Sequence, residues 1–203
     1  MRIVFMGTPD FAVPSLKALY NKSYDICAVV VQPDRPKGRG KKMVYPPVKK
    51  AALDLGLQVY QPERIKDPEF IKIIKDLEPD VIVVVAFGQI LSKEILDLPP
   101  LGCINVHASL LPKLRGAAPI NWSIINGDKV TGVTTMYMDE GLDTGDMILK
   151  KQIEIDDEIN AQELHDRLSL LGAETLIETL ENINMGKIIR IKQNEEEATY
   201  API

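Results

Sequence analysis

The chain has 203 residues, of which 45% are hydrophobic and 26% are charged, and its formal net charge is −5. This composition excludes the collagen-like, low-complexity and intrinsically disordered classes. The longest apolar run, 81–87, is far shorter than the ~20 residues that a membrane-spanning helix needs, and the N-terminus lacks a secretory signal pattern. We therefore expect a cytoplasmic protein that contacts no membrane.

Strand and helix patterns alternate through residues 1–126. The sequence predicts strands at 2–6, 24–32, 57–60, 80–87 and 102–107, and helices at 10–20, 48–55, 68–77, 92–98 and 117–126. The longer strands are continuously apolar, which is typical of a parallel sheet covered on both faces. Alternation of this kind predicts a mostly parallel α/β sheet.

The last third has a different pattern. Two β-rich segments, 130–138 and 147–155, predict a hairpin around the loop 139–146, and apolar spacing predicts a helix at 161–184. A short strand is predicted at 188–192. Cys27 and Cys103 lie in apolar stretches and are expected to be buried. Without a His/Cys/Asp cluster at ligand spacing, we expect no metal.

The segment 35–50 is strongly basic. It holds seven lysine and arginine residues and no acidic residue, whereas the rest of the chain is acidic. Its prolines and glycines predict no regular structure at 33–47. A basic segment on an acidic body can contact phosphates locally, although it can also be a solvated excursion.

Polar side chains occur at the end of a predicted buried strand. Asn105 and His107 are two residues apart, so they project from one face of the strand at 102–107. Ligands bind beyond the carboxyl ends of parallel strands. The alternative is a local hydrogen-bonded pair that fixes the following loop. The second histidine, His165, is expected on a solvated helix face.

Asp143 supplies a third polar group, in a loop between two glycines. If it meets His107, the imidazole can take a proton from an amine nucleophile while Asp143 orients the ring. The Asn105 amide can donate to the oxyanion of a tetrahedral intermediate. Direct transfer between bound substrates is then expected, rather than a covalent enzyme intermediate. The alternative for Asp143 is an ordinary turn residue.

Several segments carry a resemblance to a known family. They are GTPDFAVPSL (7–16), QPDRPKGRGKK (32–42), PDVIVVVAFGQIL (79–91), GCINVHASLLPKLRGAAPINW (102–122) and DEGLDTGDMI (139–148). The chain resembles the N-terminal catalytic domain of folate-dependent formyltransferases, in the branch that formylates methionyl initiator tRNA. The resemblance implies a Rossmann-like α/β fold with helices on both faces of the sheet and a β-hairpin plus helix in the last third.

The same resemblance implies a reaction and a set of residues. The formyl donor would be 10-formyltetrahydrofolate, and the acceptor would be the α-amino group of methionyl initiator tRNA, which starts translation in bacteria and organelles. No metal and no obligate protein partner are implied. The implied catalytic residues are Asn105, His107 and Asp143. The implied folate-binding residues are Ser109, Leu110, Leu111, Pro112, Val85, Ala86, Phe87 and Gly88. The implied tRNA-binding residues are Arg35, Lys37, Arg39, Lys41 and Lys42, with Arg39 as the key arginine.

The resemblance also implies domain limits and leaves alternatives. Residues 1–192 would form the catalytic domain, and 193–203 would begin a linker to a C-terminal β-barrel domain absent from this chain. A second hypothesis keeps the chemistry but uses a small amine, such as glycinamide ribonucleotide or an amino-sugar nucleotide. A third is a nucleotide- or RNA-binding module without activity. The basic segment favours the tRNA acceptor, because a small amine gives no reason for it.

Overall fold

The computed structural model describes residues 1–37 and 42–203. The chain divides into two compact units, residues 1–103 and residues 104–203. Among the described residues, no helix combines the length and the apolar composition needed to cross a bilayer.

The first unit alternates strands and helices. In chain order it contains β1 (Arg2–Gly7), a 3-10 turn (Asp10–Ala12), α1 (Val13–Asn21), β2 (Asp25–Val30), β3 (Arg35–Lys37), β4 (Lys42–Val44), α2 (Pro47–Asp54), β5 (Val59–Tyr60), α3 (Pro68–Asp76), β6 (Val81–Val85) and α4 (Lys93–Leu96). Strand β1 pairs in parallel with β2 and with β6, and β2 pairs in parallel with β5.

The core of this unit follows the apolar strands. All residues of β6 are buried, and β1 is buried from Ile3 onward, as expected for strands covered on both faces. A Cβ at Gly7 would lie 2.8 Å from the carbonyl oxygen of Val85. Only glycine therefore fits where the end of β1 passes β6.

The second unit supplies the antiparallel part. It contains most of β7 (Cys103–His107), then α5 (Pro119–Ile125), β8 (Val130–Tyr137), β9 (Met147–Glu154), α6 (Ala161–Asn184) and a 3-10 turn (Glu195–Glu197). Strand β8 pairs antiparallel with β7 and with β9. The order in the seven-stranded sheet is β5-β2-β1-β6-β7-β8-β9. The predicted Rossmann-like α/β class, with a hairpin and a helix in the last third, is confirmed.

Helix α6 spans the residues that the sequence predicts. The side chain of Asn160 accepts from the backbone N–H of Glu163, whose carboxylate accepts from the N–H of Asn160. Such a capping residue stabilises a helix by about 1 kcal/mol. A Cβ at Gly172 would lie 3.1 Å from a methyl carbon of Val106, so this glycine permits the close approach of α6 to β7.

The prediction of no regular structure at 33–47 is wrong in part. Strands β3 and β4 form a separate antiparallel ribbon in which Arg35 pairs with Val44. Pro36 is tolerated because both strands of a two-stranded ribbon are edge strands. The residues Arg39 and Lys41 lie outside the described residues. We refer to the described residues 35–37 and 42–44 as the basic hairpin.

The predicted strand at 188–192 is also wrong. Only an isolated bridge joins Ile191 to Met147. The side chains of Ile189 and Ile191 are exposed, so this segment buries no apolar face that would hold a longer strand against the sheet. Cys103 is buried as predicted, but Cys27 is partly exposed, and its Sγ donates to the carbonyl oxygen of Ile3.

Several predicted element ends are shifted. The helix predicted at 10–20 begins as the 3-10 turn and becomes α-helical only from Val13, with Pro14 in its first turn. Proline lacks an N–H and is tolerated there. The helix predicted at 117–126 begins at Pro119 for a similar reason, and the strand predicted at 57–60 is reduced to β5.

Candidate active site

Three polar side chains of the second unit converge at the end of β7. The Nδ1 atom of His107 lies 3.6 Å from Oδ2 of Asp143, and Nδ2 of Asn105 lies 3.4 Å from Oδ1 of the same carboxylate. His107 is buried, whereas Asn105 and Asp143 are partly exposed. The structure thus brings together the three side chains that the sequence singles out, while their catalytic role stays a prediction.

A backbone contact determines the tautomer of His107. Its Nε2 atom lies 2.8 Å from the carbonyl oxygen of Leu114. Because a carbonyl oxygen only accepts, Nε2 must carry a hydrogen. In the neutral ring Nδ1 is then the basic nitrogen, and it is the one that faces Asp143. A proton taken up at Nδ1 would therefore lie beside a carboxylate.

The loop that carries Asp143 depends on close backbone approach. Asp143 has a φ of 54°, in the left-handed region that few non-glycine residues occupy. Its Oδ2 atom accepts from the backbone N–H of Gly116 over 2.8 Å. A Cβ at Gly145 would lie 1.7 Å from the carbonyl oxygen of Tyr137, so a side chain cannot be accommodated there. Gly145 therefore permits the close packing of this loop against the end of β8.

Sequence reasoning missed a buried arginine next to this site. Arg115 is fully buried, and its guanidinium donates to both carboxylate oxygens of Glu195 and to the side-chain oxygen of Gln193. The hydrogen bonds with Glu195 raise the pKa of Arg115 above its ordinary value and lower the pKa of the Glu195 carboxyl. The sequence shows only a second charge two residues after Lys113, between Leu114 and Gly116, and the partners of Arg115 follow about 80 residues later.

The predicted folate loop, residues 109–112, is held by a buried threonine of β8. The Oγ1 atom of Thr134 donates to the carbonyl oxygen of Ser109 over 2.7 Å and accepts from the N–H of Leu111 over 3.1 Å. Ser109, Leu111 and Pro112 are buried, and Leu110 is partly exposed. Sequence reasoning also missed Thr134, because a threonine in a β-rich segment has no distinguishing signal.

In the first unit, the predicted folate wall at 85–88 alternates between buried and exposed residues. Val85 and Phe87 are buried, whereas Ala86 and Gly88 are exposed and have φ values of 48° and 91°. The hydroxyl of Thr8 donates to the carbonyl oxygen of Phe87 over 2.8 Å. The hydrogen bond thereby joins the turn after β6 to the turn after β1, and Ala86 and Gly88 remain exposed.

Three of the five predicted tRNA-contacting residues lie in the basic hairpin. Arg35 is exposed on β3, while Lys37 and Lys42 end β3 and begin β4. The contacts predicted for Arg39 and Lys41 are on residues outside those described.

An ion pair fixes the base of the basic hairpin. The carboxylate of Asp34 accepts from the ammonium group of Lys49 over 2.6 Å and from the amide of Gln61 over 2.7 Å. The hydrogen bond from Lys49 lowers the pKa of Asp34. The same ammonium lies 3.8 Å from the ring centroid of Tyr45, a cation–π contact. Both ends of the hairpin are thus anchored to the unit that carries it.

The two thiols are poor nucleophiles at neutral pH. Burial raises the pKa of Cys103 to about 12 and also raises the pKa of Cys27. Both therefore stay protonated, and the thiolate is the reactive form. Within residues 1–37 and 42–203, no group of three or more His, Cys, Asp or Glu side chains is arranged to hold a metal ion.

Comparison with known proteins identifies close relatives. Residues 1–180 match the family described as Formyl transferase. Along its whole length the chain is 64% identical to the methionyl-tRNA formyltransferase of Clostridioides difficile and 60% identical to that of Acetivibrio thermocellus. It covers 66% and 65% of these two proteins, so it spans just under two thirds of the length of the curated relatives it matches.

Solved structures show the same fold at much lower identity. Glycinamide ribonucleotide transformylase 1 from Symbiobacterium toebii has a TM-score of 0.79 at 15% identity, over 96% of this chain and 94% of that one. Phosphoribosylglycinamide formyltransferase from Bacillus halodurans has a TM-score of 0.75 at 20% identity, over 90% and 95% of the two chains. These likenesses concern the fold alone. Because the family match extends over most of its residues, the chain belongs to the formyl transferase family.

Proposed function

We propose that this chain transfers a formyl group from 10-formyltetrahydrofolate to the α-amino group of methionyl initiator tRNA, in the cytoplasm. The observation that carries the proposal is the convergence of Asn105 and His107 on the carboxylate of Asp143. Two relatives named methionyl-tRNA formyltransferase, at 60% and 64% identity over the whole chain, support this choice of acceptor.

Each of the three side chains has a distinct task in this reaction. The formyl donor supplies an electrophilic carbon. His107 accepts at Nδ1 the proton that the amine loses as its nitrogen bonds to that carbon, and can return it to the nitrogen that leaves. Asp143 compensates the charge of the protonated ring. Asn105 has two amide hydrogens, so one can bond Asp143 while the other stabilises the oxyanion.

We propose two segments for folate binding. Ala86 and Gly88 are exposed residues of a turn with two positive φ values, and backbone groups in such a turn can hydrogen-bond the edge of a pterin ring. The loop 109–112 contributes through its backbone and through the partly exposed Leu110, because the hydroxyl of Ser109 is already bonded to the carbonyl oxygen of Lys113.

We propose the basic hairpin for tRNA binding. Arg35 is exposed, and Lys37, Arg39, Lys41 and Lys42 follow it closely in sequence. Phosphates of the tRNA acceptor end are the partners that fit a compact set of cations on an acidic protein. The ion pair between Asp34 and Lys49 supports this role, since it fixes the base of the hairpin.

Residues 1–192 and 193–203 have separate proposed roles. The first range is proposed as the catalytic domain, and the second as the start of a linker to a further domain. Residues 199–202 of that segment are fixed, because Thr199 and Ala201 exchange backbone hydrogen bonds with Arg115, and Trp122 donates to the carbonyl oxygen of Pro202.

A comparison of three acceptors tests the proposed reaction. The chain is incubated with labelled formyl donor and, separately, with methionyl initiator tRNA, glycinamide ribonucleotide and an amino-sugar nucleotide, at low and high salt. We expect product on the tRNA, with acceptor affinity that falls steeply with salt because phosphate contacts release counterions. Product on a small amine with little dependence on salt would support the alternative acceptor class. No product on any of the three would contradict formyl transfer.

A further inference from the structure

The buried guanidinium of Arg115 connects the C-terminal segment with the loop of Asp143. Its Nη1 and Nη2 atoms donate to the two oxygens of Glu195 over 2.9 and 2.8 Å, and its Nε donates to Oε1 of Gln193 over 3.0 Å. Arginine has only donors, so Gln193 must present its oxygen to Arg115. The amide orientation of Gln193 is thereby determined.

The other end of the Gln193 amide holds the backbone around Asp143. Its Nε2 atom donates to the carbonyl oxygen of Asp143 over 2.7 Å and to that of Gly145 over 2.8 Å. Both carbonyls only accept, and they match the two hydrogens of the amide. Left-handed non-glycine residues persist where surrounding contacts determine them. Gln193 provides such contacts at the carbonyl of the left-handed residue Asp143 itself and at a second carbonyl two residues later.

A second set of contacts joins the same C-terminal segment to the partners of the site. The hydroxyl of Thr199 accepts from the N–H of Leu114 over 2.8 Å, and its carbonyl oxygen accepts from the N–H of Arg115 over 2.8 Å. Leu114 is also the residue whose carbonyl accepts from His107, and Gly116 donates to Asp143. The C-terminal segment therefore constrains both His107 and Asp143, whose side chains lie 3.6 Å apart.

We propose that Arg115, Gln193 and Glu195 are positioning residues, which hold the carboxylate of Asp143 beside His107 without touching a substrate. The proposal rests on the catalytic role proposed above for Asp143. The buried arginine orients the amide of Gln193, and this amide fixes the backbone from which the carboxylate of Asp143 projects. Displacements of about 1 Å in such groups can reduce turnover about 10²-fold.

The variant Gln193→Glu tests this directly. It keeps the size of the side chain and an acceptor for Arg115, but it removes both N–H donors and places a carboxylate against two carbonyl oxygens. We expect kcat to fall about 10- to 100-fold. The KM for the folate donor should stay unchanged, because the carboxylate of Asp143 acts only in the reaction step. The matched control is Glu196→Gln, an exposed carboxylate on the 3-10 turn that follows Gln193, which we expect to leave both constants unchanged.

A readout independent of activity separates this proposal from the proposed function. Hydrogen exchange is measured at the amide of Gly116, which donates to Asp143, and at the amide of Val106 in β7. We expect Gln193→Glu and the uncharged Gln193→Met to lose protection at Gly116 and keep it at Val106. Unchanged exchange at Gly116 would overturn the proposal. Loss at Val106 as well in both variants would also overturn it, because Gln193 would then serve folding in general. If the wild-type chain transfers no formyl group, the proposed function fails while the exchange experiment still decides this one.

Discussion

His107 donates from Nε2 to the carbonyl oxygen of Leu114 over 2.8 Å, and this bond leaves Nδ1 as the nitrogen that faces Asp143. The ring is thus oriented from both sides, by a backbone acceptor and by a carboxylate. A proton that arrives at Nδ1 is stabilised by the negative charge 3.6 Å away. Removal of that charge should therefore weaken proton transfer more than it weakens the fold.

The variant Asp143→Asn removes the charge at nearly constant size, and its amide NH2 also replaces the oxygen that accepts from Asn105. The amide can still accept from the N–H of Gly116, but it cannot compensate a protonated His107. We expect turnover to fall about 10²- to 10⁴-fold, with thermal unfolding near that of the wild type, as measured by single-turnover transfer of a labelled formyl group and by circular dichroism. Glu140→Gln removes an exposed carboxylate from the same loop and should leave turnover unchanged. Equal rates for Asp143→Asn and wild type would contradict the role of Asp143.

The basic hairpin is tested by a change of charge at an exposed position. We expect Arg35→Glu to weaken tRNA binding and to reduce its dependence on salt, because one fewer phosphate contact releases fewer counterions. Filter binding across a series of salt concentrations measures both quantities. The control Lys75→Glu makes the same change in net charge at an exposed position on α3. Equal effects of the two variants would mean that net charge, and not the hairpin, governs binding.

A more specific prediction concerns Arg39 of the same segment. We expect Arg39→Ala to slow transfer to tRNA while folate binding, followed by fluorescence titration, stays unchanged. Equal loss of both would mean that the segment shapes the active site instead of contacting tRNA.

The ion pair between Arg115 and Glu195 predicts a pH dependence of stability. Arg115 lowers the pKa of Glu195 in the folded chain, so the ionised carboxyl favours folding above its unfolded pKa of about 4.3. That contribution is lost as the pH falls through the lowered folded value. At neutral pH we expect the free energy of unfolding in urea to be higher for the wild type than for Glu195→Gln. This difference should disappear in acid. Glu196→Gln is the control. A difference in the free energy of unfolding between wild type and Glu195→Gln that does not change with pH would contradict the ion pair.

Local patterns determined most of the fold prediction. The continuous apolar runs of β1 and β6 and the spacing of leucines in α6 each reflect burial, which a sequence displays directly. The basic hairpin was missed because prolines and glycines usually break strands, and pairing across 38–41 is not visible in local composition. The predicted strand at 188–192 failed because its residues have strand propensity but bury no face.

The candidate site was predictable only in part. Asn105 and His107 share a strand, so their common face follows from a spacing of two. The grouping of Asp143 with these two residues depended on a chemical argument and on the resemblance to a family. Arg115 and Gln193 could not be found in this way, because their contacts join positions 78 residues apart and neither residue type signals a buried network.

Replacement of His107 by asparagine, with transfer of a labelled formyl group to methionyl initiator tRNA as the readout, tests the account most directly. The matched control is His165→Asn, which changes the second histidine, on α6. We expect transfer by His107→Asn to fall about 10²- to 10⁴-fold while His165→Asn transfers at the wild-type rate. Transfer by His107→Asn at a rate close to that of the wild type would contradict the account.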